Sequence, residues 1–297
     1  MITYNHKRWI REAIESVLAQ EFQDFEIVVG DDVSTDGTTE IVAEYAARDP
    51  RVRLLPSDKN LGGRKNFART YSACRGEFIN ALDGDDYFLD PQKLKLQVEL
   101  LDRNPDLVGV FAGSQEVEED GTPIGEGKHP RPPKARYTIL DFARYCLSDS
   151  AAMMTRRAVF GELPELFYSP PQGDWPLHIL NAMHGDFGYI ESVFTAYRIH
   201  PDGVWNKKSL VEKVAANLEV QRQFLIHLPA DTVRQIRPVI ARSVLGQIKP
   251  IARQGECEAA KILLDWLGEH CKGMLPQRKI RKARLRLHLA RLRARWA

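Results

Sequence analysis

The sequence predicts an α/β fold, with a mainly parallel sheet, flanking helices and a C-terminal helical extension. Three observations support this prediction. Short apolar runs alternate with amphipathic helical segments up to residue 115, two of those runs end in acidic segments at 31–36 and 83–86, and the pattern is helical from residue 207 onward. Alternation of this kind is typical of parallel sheets with right-handed crossovers, in which ligands lie beyond the carboxyl ends of the strands. Both acidic segments are therefore expected to border one crevice.

An amphipathic helix is predicted over 7–21, because apolar residues recur at i, i+3, i+4, i+7 and i+8 from Ile10 onward. Only residues 1–4 remain for a strand before it, so either that strand is short or the chain begins inside it. The elements that follow are strand 25–30, helix 38–47, strand 52–55, helix 64–74, strand 77–82, helix 91–103 and strand 107–111.

Beyond residue 115 the pattern is less regular. Residues 120–137 are rich in glycine and proline, which predicts a mobile loop. The later elements are helices at 138–147 and 174–184, strands at 187–190 and 193–198, and helices from 207 to the end.

Composition is that of an ordinary globular protein, with 297 residues and 43% hydrophobic content, enough to bury a core. No run of 18 apolar residues occurs, and residues 1–8 lack the layout of a signal peptide, which predicts a cytoplasmic location. The four cysteines lie at least 14 residues apart, a spacing that fits neither a zinc site nor a redox pair, so they are predicted to be reduced and structural.

Three carboxylates occur within four positions directly after an apolar run, at Asp83, Asp85 and Asp86. Their mutual repulsion must be relieved by a cation or a proton, and their oxygens are ligands that Mg²⁺ and Mn²⁺ prefer. A solvated Asp-Gly turn would explain the motif equally well if it stood alone. Its place at a strand end favours a metal site.

Several segments in a fixed order resemble family 2 glycosyltransferases. They are Thr3-Tyr4-Asn5, residues 13–20, residues 31–38, Asn60-Leu61-Gly62-Gly63, Leu82-Asp83-Gly84-Asp85-Asp86, residues 173–177 and residues 197–201. The resemblance implies the GT-A fold and inverting transfer of a hexosyl group from a nucleoside-diphosphate sugar, with Mn²⁺ or Mg²⁺ as cofactor. It also implies a donor-binding half at 1–115, an acceptor-binding half at 116–205 and a helical extension at 206–297.

The resemblance assigns roles by position on the donor side. Asp32 matches the aspartate that binds the nucleobase, while Thr3 and Tyr4 match residues along the nucleoside. Asp83 matches the D-x-D residue nearer the ribose, and Asp85 matches the residue that binds the metal.

Two further roles come from the second half of the resemblance. His200 matches a histidine that completes the metal or diphosphate site, although a packed or solvent-facing histidine is the more common finding at such a position. Asp174 matches the catalytic base, although helix capping by itself would explain an aspartate there. Pro176 stands where many members carry an acid, so no second carboxylate is expected at that position.

Two other readings stay open at this point. A sugar nucleotidyltransferase has similar strands and acids, but it typically begins with a Gly-rich phosphate loop that residues 5–9 lack. A non-catalytic glycan-binding or membrane-binding relative is the second. The acceptor is expected to be a saccharide or a lipid-linked glycan.

The C-terminal segment 277–297 carries nine Lys or Arg residues and no acid, which leaves 33 bases against 40 acids in the rest of the chain. The apolar residues that fall on or near one helical face are Ile280, Leu285, Leu289, Leu292 and Trp296. Such a segment is a basic amphipathic helix on an anionic membrane, peripheral to its inner face, or else a helix packed on the body or a frayed basic end. Nucleic acid is not the expected partner, because no known reader fold accompanies the charge.

Overall fold

The computed structural model describes residues 1–130, 133–157, 162–170 and 172–295. The chain forms two compact units. The first unit comprises Met1–Thr138, Leu147–Pro164 and Leu180–His200, and the second comprises Ile139–Cys146, Glu165–Ile179 and Pro201–Ala297. Each unit is described by itself below.

The first unit begins with a three-stranded parallel sheet and its helices. In chain order these elements are β1 (Ile2–Thr3), α1 (Ile10–Leu18), β2 (Ile27–Asp31), α2 (Thr38–Arg48), β3 (Val52–Leu55) and α3 (Gly63–Ala73). The strand order is β1-β2-β3. The first strand has two residues, and every residue of β2 is buried.

A second sheet completes the unit. Its strands are β4 (Phe78–Asn80), β5 (Tyr87–Phe88), β6 (Leu107–Val117), β7 (Arg136–Tyr137), β8 (Met153–Arg156) and β9 (Asp186–Arg198), and helix α4 (Lys93–Arg103) lies between β5 and β6 in the chain. The strand order is β4-β8-β6-β9-β5, with β7 also paired to β9. Strands β6 and β9 run parallel, and the remaining pairs of this sheet are antiparallel. The mixed α/β architecture predicted from the sequence is therefore confirmed.

The core of this unit follows the predicted helical stripe. Ile10, Ile14 and Val17 of α1 are buried together with apolar residues of β2 and β6. The area removed from water by such side chains is the main favourable term in folding. The predicted apolar face of α1 is therefore the face that packs into the core.

Segment 120–137, predicted to be a mobile loop, contacts β6 in its first part. Its first part returns along β6 with backbone hydrogen bonds, in which Ile124 donates to Glu116 and Lys128 exchanges bonds with Ser114. Gly121 and Gly125 have positive φ angles, 88° and 65°, which glycine adopts without steric cost in turns. Residues 131 and 132 lie outside the described residues.

The second unit is helical. Its helices are α5 (Ile139–Phe142), α6 (Glu165–Tyr168), the first six residues of α7 (Asp174–Ala182), α8 (Leu210–His227), α9 (Ala230–Arg253), α10 (Cys257–His270) and α11 (Gln277–Arg295). A capping box between Ser209 and Glu212 starts α8. The predicted helical extension is thus present, whereas α5 is shorter than the predicted helix at 138–147. In the part of the chain that the structure describes, no helix is both long enough and apolar enough to cross a membrane.

Gly30 tests how closely the first unit is packed, and Gly246 in the second unit is its control. A Cβ at Gly30 in β2 would lie 1.9 Å from the hydroxyl oxygen of Thr70, while a Cβ at Gly246 in α9 would meet nothing within 4 Å. We expect Gly30→Ala to lower the free energy of unfolding by about 1–3 kcal/mol through overpacking. We expect Gly246→Ala to raise it by up to about 1 kcal/mol through helix propensity. Urea denaturation measures both changes, and equal effects would contradict the close approach of β2 and α3.

Candidate functional site

The acidic turn after β4 is held against β1 by backbone hydrogen bonds. Ile2 donates from its N–H to the carbonyl of Leu82 at 3.1 Å, and Gly84 donates to the carbonyl of Ile2 at 2.9 Å. Carboxylate oxygens of Asp83, Asp85 and Asp86 all lie within 4.8 Å of one another. The turn thus gathers three acids at the end of the shortest strand of the parallel sheet.

Gly84 is required by how closely its neighbours approach. A Cβ at this position would lie 2.7 Å from the hydroxyl oxygen of Thr3 and 3.0 Å from Nδ1 of His6. The Thr3 hydroxyl is buried, and it has no hydrogen-bond partner within the described ranges. A buried hydroxyl in this state costs free energy, so its position favours a partner supplied by a ligand.

Two imidazoles flank Asp85. Nε2 of His200 lies 3.0 Å from Oδ2 of Asp85, and Nε2 of His6 lies 3.6 Å from the same oxygen. Burial acts to raise the pKa of Asp85, but the hydrogen bond to His200 and the nearby His6 outweigh it, so the pKa is lowered. Burial also lowers the pKa of His6 in spite of the adjacent carboxylate, which favours a neutral imidazole. The ring centroids of Trp9 and His200 lie 4.3 Å apart, so the indole packs against this imidazole.

Asp86 has a different role from its two neighbours. It is buried, and its Oδ1 accepts a hydrogen bond of 2.8 Å from the backbone N–H of Arg198. Burial raises the pKa of Asp86 well above its usual range, and the charges of Asp85 and Asp83 raise it further. This carboxyl therefore ties the acidic turn to the end of β9.

The side chain of Arg198 reinforces that connection. Its guanidinium is buried, pairs with the carboxylate of Glu12, and donates to the carbonyls of Asp85 at 2.9 Å and Glu119 at 2.6 Å. One side chain thus joins the acidic turn to α1 and to the turn after β6. Sequence reasoning missed both Arg198 and His6. The signal for Arg198 was its place within residues 197–201, a segment in which the family resemblance assigned a role to His200 only.

Asp32 lies at the end of β2 and is 2% exposed. Its Oδ1 accepts from the N–H of Leu61 at 2.7 Å, and its Oδ2 accepts from the N–H of Gly62 at 2.8 Å. A carboxylate offers about four lone-pair sites, so acceptor capacity remains for a further donor. The backbone N–H of Asp32 donates to the carbonyl of Thr3, which places these two predicted residues side by side.

The loops after β1 and β2 hold each other in unusual backbone conformations. Asn5 and Val33 have positive φ angles, 57° and 65°, the second rare for a β-branched residue. Asn5 donates from its backbone to the hydroxyl of Ser34, and its side-chain carbonyl accepts from the backbone of Thr35. Tyr4 lies in the first of these loops with its side chain exposed. Strain of this kind is a common feature of ligand-binding loops.

The predicted donor and metal residues therefore come together in one unit. Thr3, Asp32, Asp83, Asp85 and His200 lie at the ends of β1, β2, β4 and β9. Asp174 lies in the other unit, where it is the exposed first residue of α7. The predicted helix start is confirmed there, and the role of Asp174 stays a prediction.

The donor set of the acidic turn fits a hard divalent cation. Carboxylate oxygens predominate, and the Nε2 of His200 lies within reach of the Asp85 carboxylate. Mg²⁺ and Mn²⁺ take carboxylate oxygens, and Mn²⁺ also accepts imidazole nitrogen. Among the described residues, Asp83, Asp85 and Asp86 bring their ligand atoms close enough together for such an ion, and the metal-binding roles of Asp85 and His200 stay predictions.

The fold is that of the GT-A glycosyltransferases. TarS of S. aureus, solved in complex with UDP-GlcNAc, superposes with a TM-score of 0.66 at 19% identity, covering 98% of this chain and 86% of that one. A mannosyltransferase of Pyrobaculum calidifontis, in complex with GDP-Man and Mn²⁺, superposes with a TM-score of 0.56 at 16% identity over 99% of this chain and 86% of the other.

Sequence comparison supplies the family. The family described as Glycosyl transferase family 2 matches residues 1–163, more than half of the chain, and the protein belongs to it. An uncharacterized protein of Mycobacterium tuberculosis is 34% identical over 209 residues, 69% of this chain and 59% of that protein. The chain thus spans less than two thirds of the length of this relative.

The connection made by Arg198 can be tested by Arg198→Lys, which keeps the charge but cannot make all the guanidinium contacts. We expect the free energy of unfolding to fall by about 2 kcal/mol, on the scale of lost charged hydrogen bonds. We expect Mn²⁺ affinity, measured by electron paramagnetic resonance, to fall about 10-fold to 100-fold, as for other residues that orient metal ligands.

Arg8→Lys is the matched control for this experiment. Arg8 pairs with the carboxylate of Glu119 at 3.0 Å, but its side chain is 66% exposed. An exposed pair contributes under about 1 kcal/mol, so little change is expected in either measurement. Equal behaviour of the two variants would show that Arg198 does not hold the acidic turn.

Proposed function

We propose that the protein is a metal-dependent inverting glycosyltransferase that transfers a hexosyl group from a nucleoside-diphosphate sugar to an acceptor hydroxyl. The single observation that carries this proposal is the gathering of Asp32, Thr3 and the acidic turn at neighbouring strand ends within a family 2 glycosyltransferase. The GT-A structures with UDP-GlcNAc and with GDP-Man support a nucleotide-sugar donor.

Donor recognition is assigned to four residues. Asp32 accepts a hydrogen bond from the nucleobase with the acceptor capacity that Leu61 and Gly62 leave unused. Thr3 uses its buried hydroxyl, and Tyr4 its exposed ring, along the nucleoside. Asp83, the exposed member of the acidic turn, accepts from the ribose hydroxyls.

The diphosphate end of the donor is assigned to Asp85 and His200. These two residues would hold Mn²⁺ or Mg²⁺, which when bound neutralises charge on the departing diphosphate. Support comes from the 3.0 Å contact between Asp85 and His200 and from the Mn²⁺ named with the mannosyltransferase. Arg198 and Asp86 keep the backbone of the acidic turn in place.

Transfer itself is assigned to Asp174 as general base. Its carboxylate takes the proton of the acceptor hydroxyl while the acceptor oxygen forms a bond to the anomeric carbon. The bond from that carbon to the diphosphate oxygen breaks on the opposite face, and the nucleoside diphosphate leaves with the electron pair. One direct displacement inverts the anomeric configuration.

The acceptor is proposed to be a saccharide or a lipid-linked glycan. We also propose a cytoplasmic location, with peripheral contact to an anionic membrane through residues 277–297. The nine bases and missing acids of that segment support an anionic partner. Residues 296 and 297, including the tryptophan noted in the sequence, lie outside the described residues.

Asp85→Ala is the test of the donor site. We expect wild-type protein to bind at least one of UDP, GDP and dTDP in a Mn²⁺-dependent manner by calorimetry, and the variant to lose this coupling because the carboxylate ligand is gone. Asp102→Ala, at an exposed position of α4, is the control and should bind like wild type. Absence of metal-coupled binding for all three nucleotides in the wild type would refute the proposal.

Asp174→Asn tests the base. We expect donor binding to be unchanged and transfer to fall by about 10²-fold or more, the scale of general-base loss. Transfer is measured with a panel of nucleotide sugars and alkyl glycosides, and product configuration by NMR. Asp231→Asn, an exposed aspartate at the start of α9, is the control. Unchanged transfer in Asp174→Asn would remove this residue from its role, and a retained configuration would exclude inversion.

A further inference from the structure

Two buried side chains determine how helix α11 is oriented within the second unit. Ala283 and Leu287 are buried, with 7% and 6% exposure, and the helix packs on α9 and α10 of the same unit. These residues are four apart and therefore lie on one face of the helix. Their burial decides which side of α11 points to solvent.

The opposite side of α11 combines leucine with positive charge. At 100° per residue, five side chains fall within an arc of about 100° that faces away from Ala283 and Leu287. They are Arg278, Arg281, Lys282, Leu285 and Leu289, all exposed. Leu285 is 58% exposed and lies near the middle of the arc, and Leu289 is 45% exposed and lies toward one side of it. These five residues are called the outer face of α11 below.

The charge of α11 is uncompensated. Helices α8, α9 and α10 each contain an ion pair within the helix, between Arg222 and Glu219, Arg234 and Asp231, and Lys261 and Asp265 respectively. Segment 277–297 has no acid to form such a pair. Across the described part of the chain, no carboxylate lies within ion-pair distance of the six bases between Arg278 and Arg286. These charges are therefore available to an anionic partner.

We propose that the outer face of α11 docks on the surface of an anionic lipid bilayer. Leu285 and Leu289 enter the headgroup region, while Arg278, Arg281 and Lys282 contact lipid phosphates with their alkyl stems along the leucines. This arrangement is that of an interfacial amphipathic helix, for which apolar burial and attraction to anionic lipid act together. The inference rests on the proposed peripheral membrane contact, and it assigns that contact to one helical face.

The composition of the outer face favours lipid over nucleic acid. A nucleic-acid surface combines bases with aromatic side chains that stack, and helix α11 has no Phe, Tyr or Trp. Two adjacent exposed leucines have no function on a phosphate backbone. A bilayer surface rewards both groups, because the leucines leave water while the guanidinium groups stay in the headgroup layer.

The test uses the full chain and vesicles of phosphatidylcholine with or without phosphatidylglycerol, followed by sedimentation. Wild type should sediment with the vesicles that contain phosphatidylglycerol and not with those of phosphatidylcholine only. The sedimented fraction should fall at high salt. Arg281→Glu combined with Lys282→Glu should weaken this binding about 10-fold or more. Leu285→Ser combined with Leu289→Ser should weaken it severalfold at low salt as well, which a purely electrostatic surface would not show. All four positions are exposed, so circular dichroism should be unchanged.

Arg242→Glu combined with Arg253→Glu is the matched control, since both residues are exposed bases on α9. This control should bind vesicles like wild type. Equal binding by the control and both outer-face variants would overturn the proposal. Binding to a DNA duplex but not to vesicles would also overturn it. So would a dimer, seen by analytical ultracentrifugation, whose interface is the outer face.

Nucleotide binding keeps the two proposals separable. Protein that binds a nucleoside diphosphate with Mn²⁺ but ignores anionic vesicles refutes the outer face and leaves glycosyl transfer standing. Protein that binds vesicles through the outer face but no nucleotide refutes glycosyl transfer alone. Neither outer-face variant touches a residue assigned to the donor or the acceptor.

Discussion

Three carboxylates held within 4.8 Å of one another repel, and the first unit is organised around the compensation of that repulsion. Each acid is compensated in a different way. Asp85 faces His200 and His6, Asp86 is buried with a raised pKa beneath the backbone of Arg198, and Asp83 is exposed. A cation bound at the turn would add to a site that is already partly neutralised by the protein.

This arrangement depends on how the strands end. β1 is two residues long, yet its hydrogen bonds hold the acidic turn on one side and β2 on the other. Thr3 consequently lies between Asp32 and Gly84, which places these predicted donor residues at one edge of the sheet. Arg198, at the end of β9, also binds the acidic turn, because its guanidinium donates to the carbonyl of Asp85. The residues proposed to bind the donor therefore all belong to the first unit.

Sequence reasoning succeeded where local patterns decide structure. The stripe beginning at Ile10 predicted α1, and the strand-end acids predicted that Asp32 and the acidic turn would lie close together. It failed where a contact joins distant parts of the chain. His6 was overlooked because only folding brings it to Asp85, 79 positions further along the chain. The proposed role of Asp174 rests on family resemblance, since helix capping explains its local position equally well.

The sequence by itself determined the order of helices and strands, the acids at the strand ends, the family and the unbalanced charge of residues 277–297. These properties depend on composition, periodicity and motif order, all of which can be read along the chain. Only the tertiary structure decided that Arg198 binds the acidic turn, that Thr3 has a buried hydroxyl with unused capacity, and that Leu285 and Leu289 face outward. The physical reason is that burial and hydrogen-bond partners are chosen between segments far apart in the chain: Arg198 and Asp86 are separated by 112 positions. No local pattern can encode which of several arginines completes such a contact.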